Sequence, residues 1–195
     1  MKSKMTCNLF PKPPFDFELT AGYHTYFQGR YGTDSMNQGV YRRLLDLEGS
    51  LVLASVSSTG SIDSPCLEVE LQGPDLSAQL ANQATSTVAW LLGTDQDLAP
   101  FYHMAGQDPT MSAITKRFRG LHLPHTATVF EALVLGILGQ QIATNVARII
   151  RTLLIETYGP KGSFGGEIFY AFPRPESLAT VSVEELRGLK LSWRK

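Results

Sequence analysis

Apolar residues recur at every second position early in the chain and at every third or fourth position later. In PPFDFEL (13–19), Phe15, Phe17 and Leu19 take alternate places, the pattern of a half-buried strand. GVYRRLLDL and SLVLASVS follow as further strands, with Gly49 supplying the turn between them. PCLEVELQG sets Leu67, Val69 and Leu71 on one face and Glu68 and Glu70 on the other. Glu48-Gly49-Ser50 and Ser58-Thr59-Gly60 read as hairpin turns. Connections this short leave no room for crossover helices, so the sheet is predicted to be antiparallel.

The helical period begins near residue 75. Asp75 is the expected N-cap of a helix running to about Leu92, with Gly93 just past its end and Leu76, Leu80, Ala84, Val88 and Leu91 on the buried face. Beyond GTDQDLAPFYHMAGQDP only helices are expected. Asp108-Pro109 combines a capping acceptor with a ring suited to the first turn, and Met111, Ile114 and Phe118 then share a face closed by Gly120. LHLPHTATVF reads as a connector. Two helices follow, one ending near Gly139 and one through TNVARIIRTLLIETY, stopped by Gly159-Pro160. GPKGSFGGE reads as a loop. PESLATVSVEELRGLKL supplies two short helices, the second with a capped start at Val181-Ser182. The fold class is therefore α+β, with an antiparallel sheet domain over 11–100 and a helical domain over 101–195. The helical part reads as unfinished at LSWRK, as if its last helix continued or the chain were a fragment.

Composition narrows the function classes little. The 195 residues are 43% hydrophobic and 18% charged, as in an ordinary globular protein, and the formal net charge of −1 gives no general warrant for nucleic-acid binding. Cys7 and Cys66 lack metal-ligand spacing and are expected to be free thiols in a reducing cytoplasm. Prolines interrupt the N-terminal MKSKMTCNLFPKPPF before any apolar core of a signal peptide, and no apolar run is long enough to span a bilayer. A cytoplasmic protein with no membrane partner is expected.

One stretch poses a chemical question. EALVLGILGQQIATNVARII (131–150) is apolar except for Gln140 and Gln141, which follow a glycine. Gly136 and Gly139 each weaken a continuous helix by roughly 1 kcal/mol relative to alanine. A break at Gly139 would put both amides at the tip of a tight helix–helix connection. There they could satisfy backbone groups of the bend, the usual role of turn-region amides, or be presented outward.

The run FEALVLGILGQQIATNVARIIRTLLIETYG (130–159) resembles the helical core of the helix-hairpin-helix DNA glycosylases, in the branch of DNA-3-methyladenine glycosylase II. FPRPESLATVSVEELRGLKLSWRK resembles the segment after that core and DLAPFYHMAGQDPTMSAITKRFRGLHLPHTATVFEALV the approach to it. PPFDFELTAGYHTYF resembles the opening of the family's N-terminal antiparallel domain, which is TATA-binding-protein-like. The resemblance implies a base-excision repair enzyme that acts on double-stranded DNA with damaged bases. Such an enzyme extrudes an alkylated purine, at a cost of a few kcal/mol, and hydrolyses its N-glycosidic bond. By motif, the side chain that fills the vacated stack is Gln141, flanked by Gln140 and Ile142. Arg148 and Arg151 would lie near the phosphates. Tyr23 matches an aromatic of the base pocket, where a cationic N-alkylated purine would stack with about 0.5–2 kcal/mol of cation–π attraction; Tyr23, Tyr26 and Phe27 could equally pack a short helix on the sheet.

Other chemistry is thin. Lys116, Arg117 and Arg119 sit near a helix C-terminus, where cations complement the dipole in any case. His122 and His125 lack third and fourth ligands, so no metal is expected, nor any cofactor. The family's catalytic carboxylate is an aspartate that follows an LPGIGPxTA hairpin, and that hairpin also anchors a phosphate. Neither occurs here: the last aspartate is Asp108, and Glu176, Glu184 and Glu185 are helix-start acids. No catalytic residue is therefore assigned, and the chain is expected to be inactive alone. Two rivals stand beside the glycosylase: a non-catalytic DNA-binding protein and a protein-interaction domain. An unfinished helical core would also invite self-association.

Overall fold

In the computed structural model, which describes residues 3–26 and 30–191, the alternating segments build one antiparallel sheet. Its strands, among the described residues, are β1 (Ser3–Leu9), β2 (Arg30–Tyr31), β3 (Asp34–Asn37), β4 (Val40–Leu47), β5 (Ser50–Ser58) and β6 (Leu67–Gly73). They lie in the order β1-β6-β5-β4-β3-β2. The β4–β5 hairpin turns at Glu48 and Gly49 as expected, both with positive φ. The antiparallel class is correct.

Two local expectations about the sheet are corrected. PPFDFEL is no strand: Asp16 accepts a hydrogen bond from the Leu19 backbone N–H at 2.9 Å and caps α1 (Phe17–His24). The edge strand is instead β1, paired with β6 from Ser3↔Gly73 to Leu9↔Leu67. The β5–β6 connection is not a tight turn at Ser58-Thr59-Gly60 but a loop over 59–66, closed where the Thr59 N–H bonds the Cys66 carbonyl at 2.8 Å. Cys7 and Cys66 are free thiols.

The long helix after the sheet is α2 (Ala78–Leu91). Its N-cap is Ser77, which accepts from Leu80 N, not Asp75. Ala81, Ala84, Val88 and Leu91 lie against one sheet face made by Tyr41, Leu45, Val52, Ala54, Val56, Leu67, Val69 and Leu71. Each fully buried aliphatic side chain there contributes about 1.5–3 kcal/mol of transfer free energy.

Then come α3 (Ala99–Ala105), α4 (Pro109–Arg117), α5 (Val129–Gly139) and α6 (Thr144–Tyr158). Asp108 caps α4 as expected, accepting from Met111 N at 2.8 Å, but Met111, Ile114 and Phe118 are exposed. GPKGSFGGE is not an irregular loop. It forms the hairpin β7 (Lys161–Phe164) and β8 (Glu167–Tyr170), turning on Gly165 and Gly166, both at positive φ. Phe164, Phe169 and Ala171 cover the other face of the sheet at Leu44 and Leu53. The chain thus returns from the helices to the sheet, which is buried on both faces near β4 and β5. The last helices, α7 (Pro175–Ala179) and α8 (Val183–Gly188), complete a third cluster around Leu138, Ile150, Leu154 and Leu189. A capping box between Ser182 and Glu185 starts α8. Among the described residues, no helix is long and apolar enough to cross a membrane.

Candidate functional site at the α5–α6 bend

The helix does break at the glycine. α5 ends at Gly139, Gln140 is extended (φ −67°, ψ 133°), and Gln141 adopts the left-handed conformation at φ 55°. Both amides are exposed. Ile142 is half-buried and packs into the α5–α6 cluster, so the tip is polar and its base is anchored. Ala143 starts α6 without a side-chain cap, which leaves the positive end of that helix's dipole beside the glutamines. Arg148 is half-buried one turn into α6. Tyr23 is half-exposed on α1 and stacks on Tyr26 at 6.0 Å between ring centroids. Phe27 lies outside the described residues. A cavity of about 260 Å³ opens beside the bend, with Tyr26, Leu138, Ile142 and Arg151 on its wall; Tyr23 does not line it.

Arg151 is not on the surface where phosphates would run. Its side chain is 12% exposed, and its guanidinium lies 3.8 Å from Glu131 and 4.0 Å from Asp34. These belong to a buried ionic cluster that sequence reasoning missed. Arg43 reaches from β4 to Asp34 on β3 (3.0 Å) and to Glu131 on α5 (2.6 Å), all three with side chains at most 4% exposed. Tyr41 donates to Asp34, and Thr33 also bonds it. Glu131 accepts from the Ala127 N–H at 3.1 Å. The cluster thus ties the first turn of α5 to the sheet.

Its charges support one another. Burial pushes the Asp34 carboxyl up, but Arg43, with His24 and Arg151, outweighs this and holds it below the usual range. Burial works against a charged Arg43, and Asp34 and Glu131 more than compensate, leaving it well above its ordinary value. Burial, then the Asp34 carboxylate, lifts the Tyr41 phenol well above its own, so it stays a donor. His24 is shifted down by burial, against the pull of Asp34. Two signals could have revealed the cluster. Glu131 is a lone carboxylate in FEALVLGIL, and Arg43 alternates with Tyr41 and Leu45, the inward phase of β4.

The remaining candidates have local roles. Both ring nitrogens of His122 face carbonyls, of Gly93 at 2.6 Å and Pro14 at 3.0 Å, while His125 stacks on Trp90 at 4.1 Å. Arg119 pairs with Asp63, and Lys116 and Arg117 lie in the last turn of α4.

No family model matches the chain. Over 101 residues it is 34% identical to DNA-3-methyladenine glycosylase of Bacillus subtilis (strain 168), a match covering 52% of this chain and 33% of that protein. Its fold superposes on the 3-methyladenine DNA glycosylase from Archaeoglobus fulgidus with a TM-score of 0.82 at 23% identity, over 96% of this chain and 63% of that one. It also superposes on an 8-oxoguanine glycosylase/lyase of Clostridium acetobutylicum, solved with double-stranded DNA, at a TM-score of 0.66 and 15% identity, over 100% and 61%. The match spans about a third of the curated relative, and the chain spans under two thirds of these solved proteins. The chain is related in sequence to a DNA-3-methyladenine glycosylase over half its length and shares the fold of DNA glycosylases over nearly all of it.

Proposed function

We propose that this chain is the DNA-engaging part of a repair glycosylase, in which the α5–α6 bend enters duplex DNA at a damaged base, of the alkylated-purine class. The carrying observation is Gln141, exposed and left-handed at the tip of a bend whose base is packed into the protein. A glutamine there fills a vacated stack with its aliphatic stem and offers its amide to the orphaned partner base. Gln140 and Ile142 flank it, the uncapped start of α6 favours a nearby phosphate, and Arg148 adds a cation. Tyr23, stacked on Tyr26, is suited to a flat cationic base. In this reading the sheet domain, expected over 11–100, also takes in β1 (Ser3–Leu9), and 101–195 is the part of the helical domain that bears the bend.

No aspartate follows Asp108 in these 195 residues, and Glu176, Glu184 and Glu185 lie in the first turns of short helices. The chain by itself is therefore expected to bind without cleaving. Binding to a duplex containing an abasic analogue should weaken steeply with salt as phosphate contacts release counterions. Gln141→Ala should lose affinity for that duplex and not for intact duplex. Equal losses on both would reject the wedge. Single-turnover release of 3-methyladenine or hypoxanthine above a protein-free blank would reject the inactivity.

A second reading has its own support. Leu133, Ile137, Val146 and Ile149 expose apolar surface on α5 and α6, as in a protein-contact face or one that self-associates. Sedimentation equilibrium over a concentration series checks it.

A further inference from the structure

Pairing between β3 and β4 ends at Asp34↔Arg43, while β4 and β5 stay paired as far as Leu47↔Ser50. The end of β4, from Leu44 to Leu47, therefore has a strand on its β5 side and none on the other. The turn at Glu48-Gly49, with both residues at positive φ, fixes which backbone groups face which way. A two-residue turn of this kind closes on a hydrogen-bonded pair, here Leu47↔Ser50. Bonding then alternates along the strand. Leu45 and Leu47 bond β5, and Leu44 and Asp46 turn their N–H and C=O groups to the open side. Among the described residues, no backbone group meets them there.

A cavity of about 610 Å³ runs along this edge, and every residue from Arg43 to Glu48 lines it. Successive strand residues point to opposite faces, so contact with all of them places the cavity beside the strand and not over one face. Its far wall includes Ala127, Phe130, Ala171, Phe172 and Pro173, with the Phe130 and Phe172 rings edge to face at 6.3 Å. Arg174 bonds Asp46 across the gap, so that wall is tied to the strand by side chains while the backbone edge stays open. Among the charged lining residues, Arg43 and Arg174 are outnumbered by Asp46, Glu48, Glu131 and Glu176. Glu131 Oε1 is buried without a hydrogen-bond partner. The cavity shares no lining residue with the one beside the α5–α6 bend.

We propose that the open edge of β4 docks an extended, basic segment of a partner protein, which adds to the sheet as a strand beside Leu44–Leu47. Backbone hydrogen bonds to Leu44 and Asp46 supply the affinity, and alternate side chains of the segment read the walls. Its apolar set packs against Phe130 and Phe172. Its lysines or arginines meet Glu48 and Glu176, which would repel an acidic segment. The volume lies within the ~300–1,000 Å³ of ligand clefts, which suits a short motif and not a folded domain. This role is independent of any action on DNA.

The test titrates the full chain with the peptide acetyl-KVKFKVK-amide, in which lysine alternates with apolar residues. Binding should slow exchange of the Leu44 and Asp46 amide protons, followed by NMR, and leave the already bonded Leu45 and Leu47 amides little changed. Replacing the lysines by glutamate should weaken binding roughly tenfold or more. Two N-methylated forms of the basic peptide separate backbone pairing from side-chain contact: methylating the row of amides that faces β4 should abolish binding, and methylating the opposite row should not. Glu176→Lys, a rim change outside the buried ion cluster, should narrow the preference for the basic peptide over the acidic one. No binding of the basic peptide at about 1 mM would overturn the proposal. So would equal affinity for the acidic peptide, tolerance of both methylated rows, unaltered exchange at Leu44 and Asp46, or a preference unchanged in Glu176→Lys.

Discussion

The sheet and the α5–α6 bend solve the problem of burial in opposite ways. Tyr41, Val52, Val56, Leu67 and Val69 have no exposed surface, because α2 covers one sheet face and the β7–β8 hairpin covers part of the other. Around the bend, Leu133 is 60% exposed and Ile149 46%. The helices nevertheless hold a defined position, and the buried ion cluster supplies part of the reason. Arg43 on the sheet meets Glu131 on α5, with Arg151 on α6 close by. Apolar packing organises the first region, while the second is tied to it by charges that only their mutual pairing makes tolerable.

The largest effect should come from cutting that tie. Arg43→Met leaves Asp34 and Glu131 buried with one partner removed, and should cost about 3–5 kcal/mol in urea unfolding. Adding Asp34→Asn and Glu131→Gln to that variant should recover much of the loss, since two carboxylates no longer need compensation. A loss below about 1 kcal/mol for Arg43→Met would mean that the helices are held by apolar contacts after all.

A matched pair of truncations measures the packing side. Leu71→Ala opens a cavity in the closed core and should cost about 2–5 kcal/mol. Ile149→Ala removes a half-solvated side chain and should stay within about 1 kcal/mol. Comparable losses from the two would show that the helical face is covered in solution, and a concentration dependence of the second would identify self-association as the cover.

The same contrast explains what could be read from residues alone. β4, β5 and β6 were legible because each turns an alternating apolar face toward α2, and the β4–β5 connection carries its turn residues at Glu48-Gly49. β1 was not: as an edge strand, its residues from Ser3 to Thr6 are exposed, so no alternation marks it. The alternation of Phe15, Phe17 and Leu19 misled, because Asp16 caps a helix there and a short helix can bury Phe17 as well as a strand can. The bend was legible from Gly139 and two amides in an apolar run. The charge cluster was legible only as separate inward charges, Glu131 in an apolar run and Arg43 in the buried phase of β4; its members come from β3, β4, α5 and α6, and only the fold brings Arg43 to Glu131.

A smaller effect separates the fold from the bend's role in binding. Gln141→Gly places the residue that tolerates positive φ at φ 55° and should raise stability by about 0.5–1 kcal/mol. The same variant should lose abasic-duplex affinity, because the side chain that fills the stack is gone. If stability and affinity fell together, Gln141 would be bracing the bend and not facing DNA.

The smallest effect is one of pH and lies where the two regions meet. His24 faces Asp34, Arg43 and Glu131, its ring stands 5.5 Å from that of Tyr41, and its Nε2–H donates to the Leu91 carbonyl at 3.0 Å. Burial lowers its folded pKa below the ordinary histidine value of about 6.5. The unfolded chain therefore takes up a proton before the folded one does, and stability falls as pH drops from about 6.5 toward the folded value. Asp34, also held below its ordinary range, adds a separate loss only in stronger acid, as pH falls through its own folded pKa. Urea midpoints between pH 7.5 and 5 should decline in wild type and flatten in His24→Gln, which removes the titrating ring. A slope unchanged by the substitution would assign the acid sensitivity to groups outside the junction, and the cluster would then be a static tie between sheet and helices.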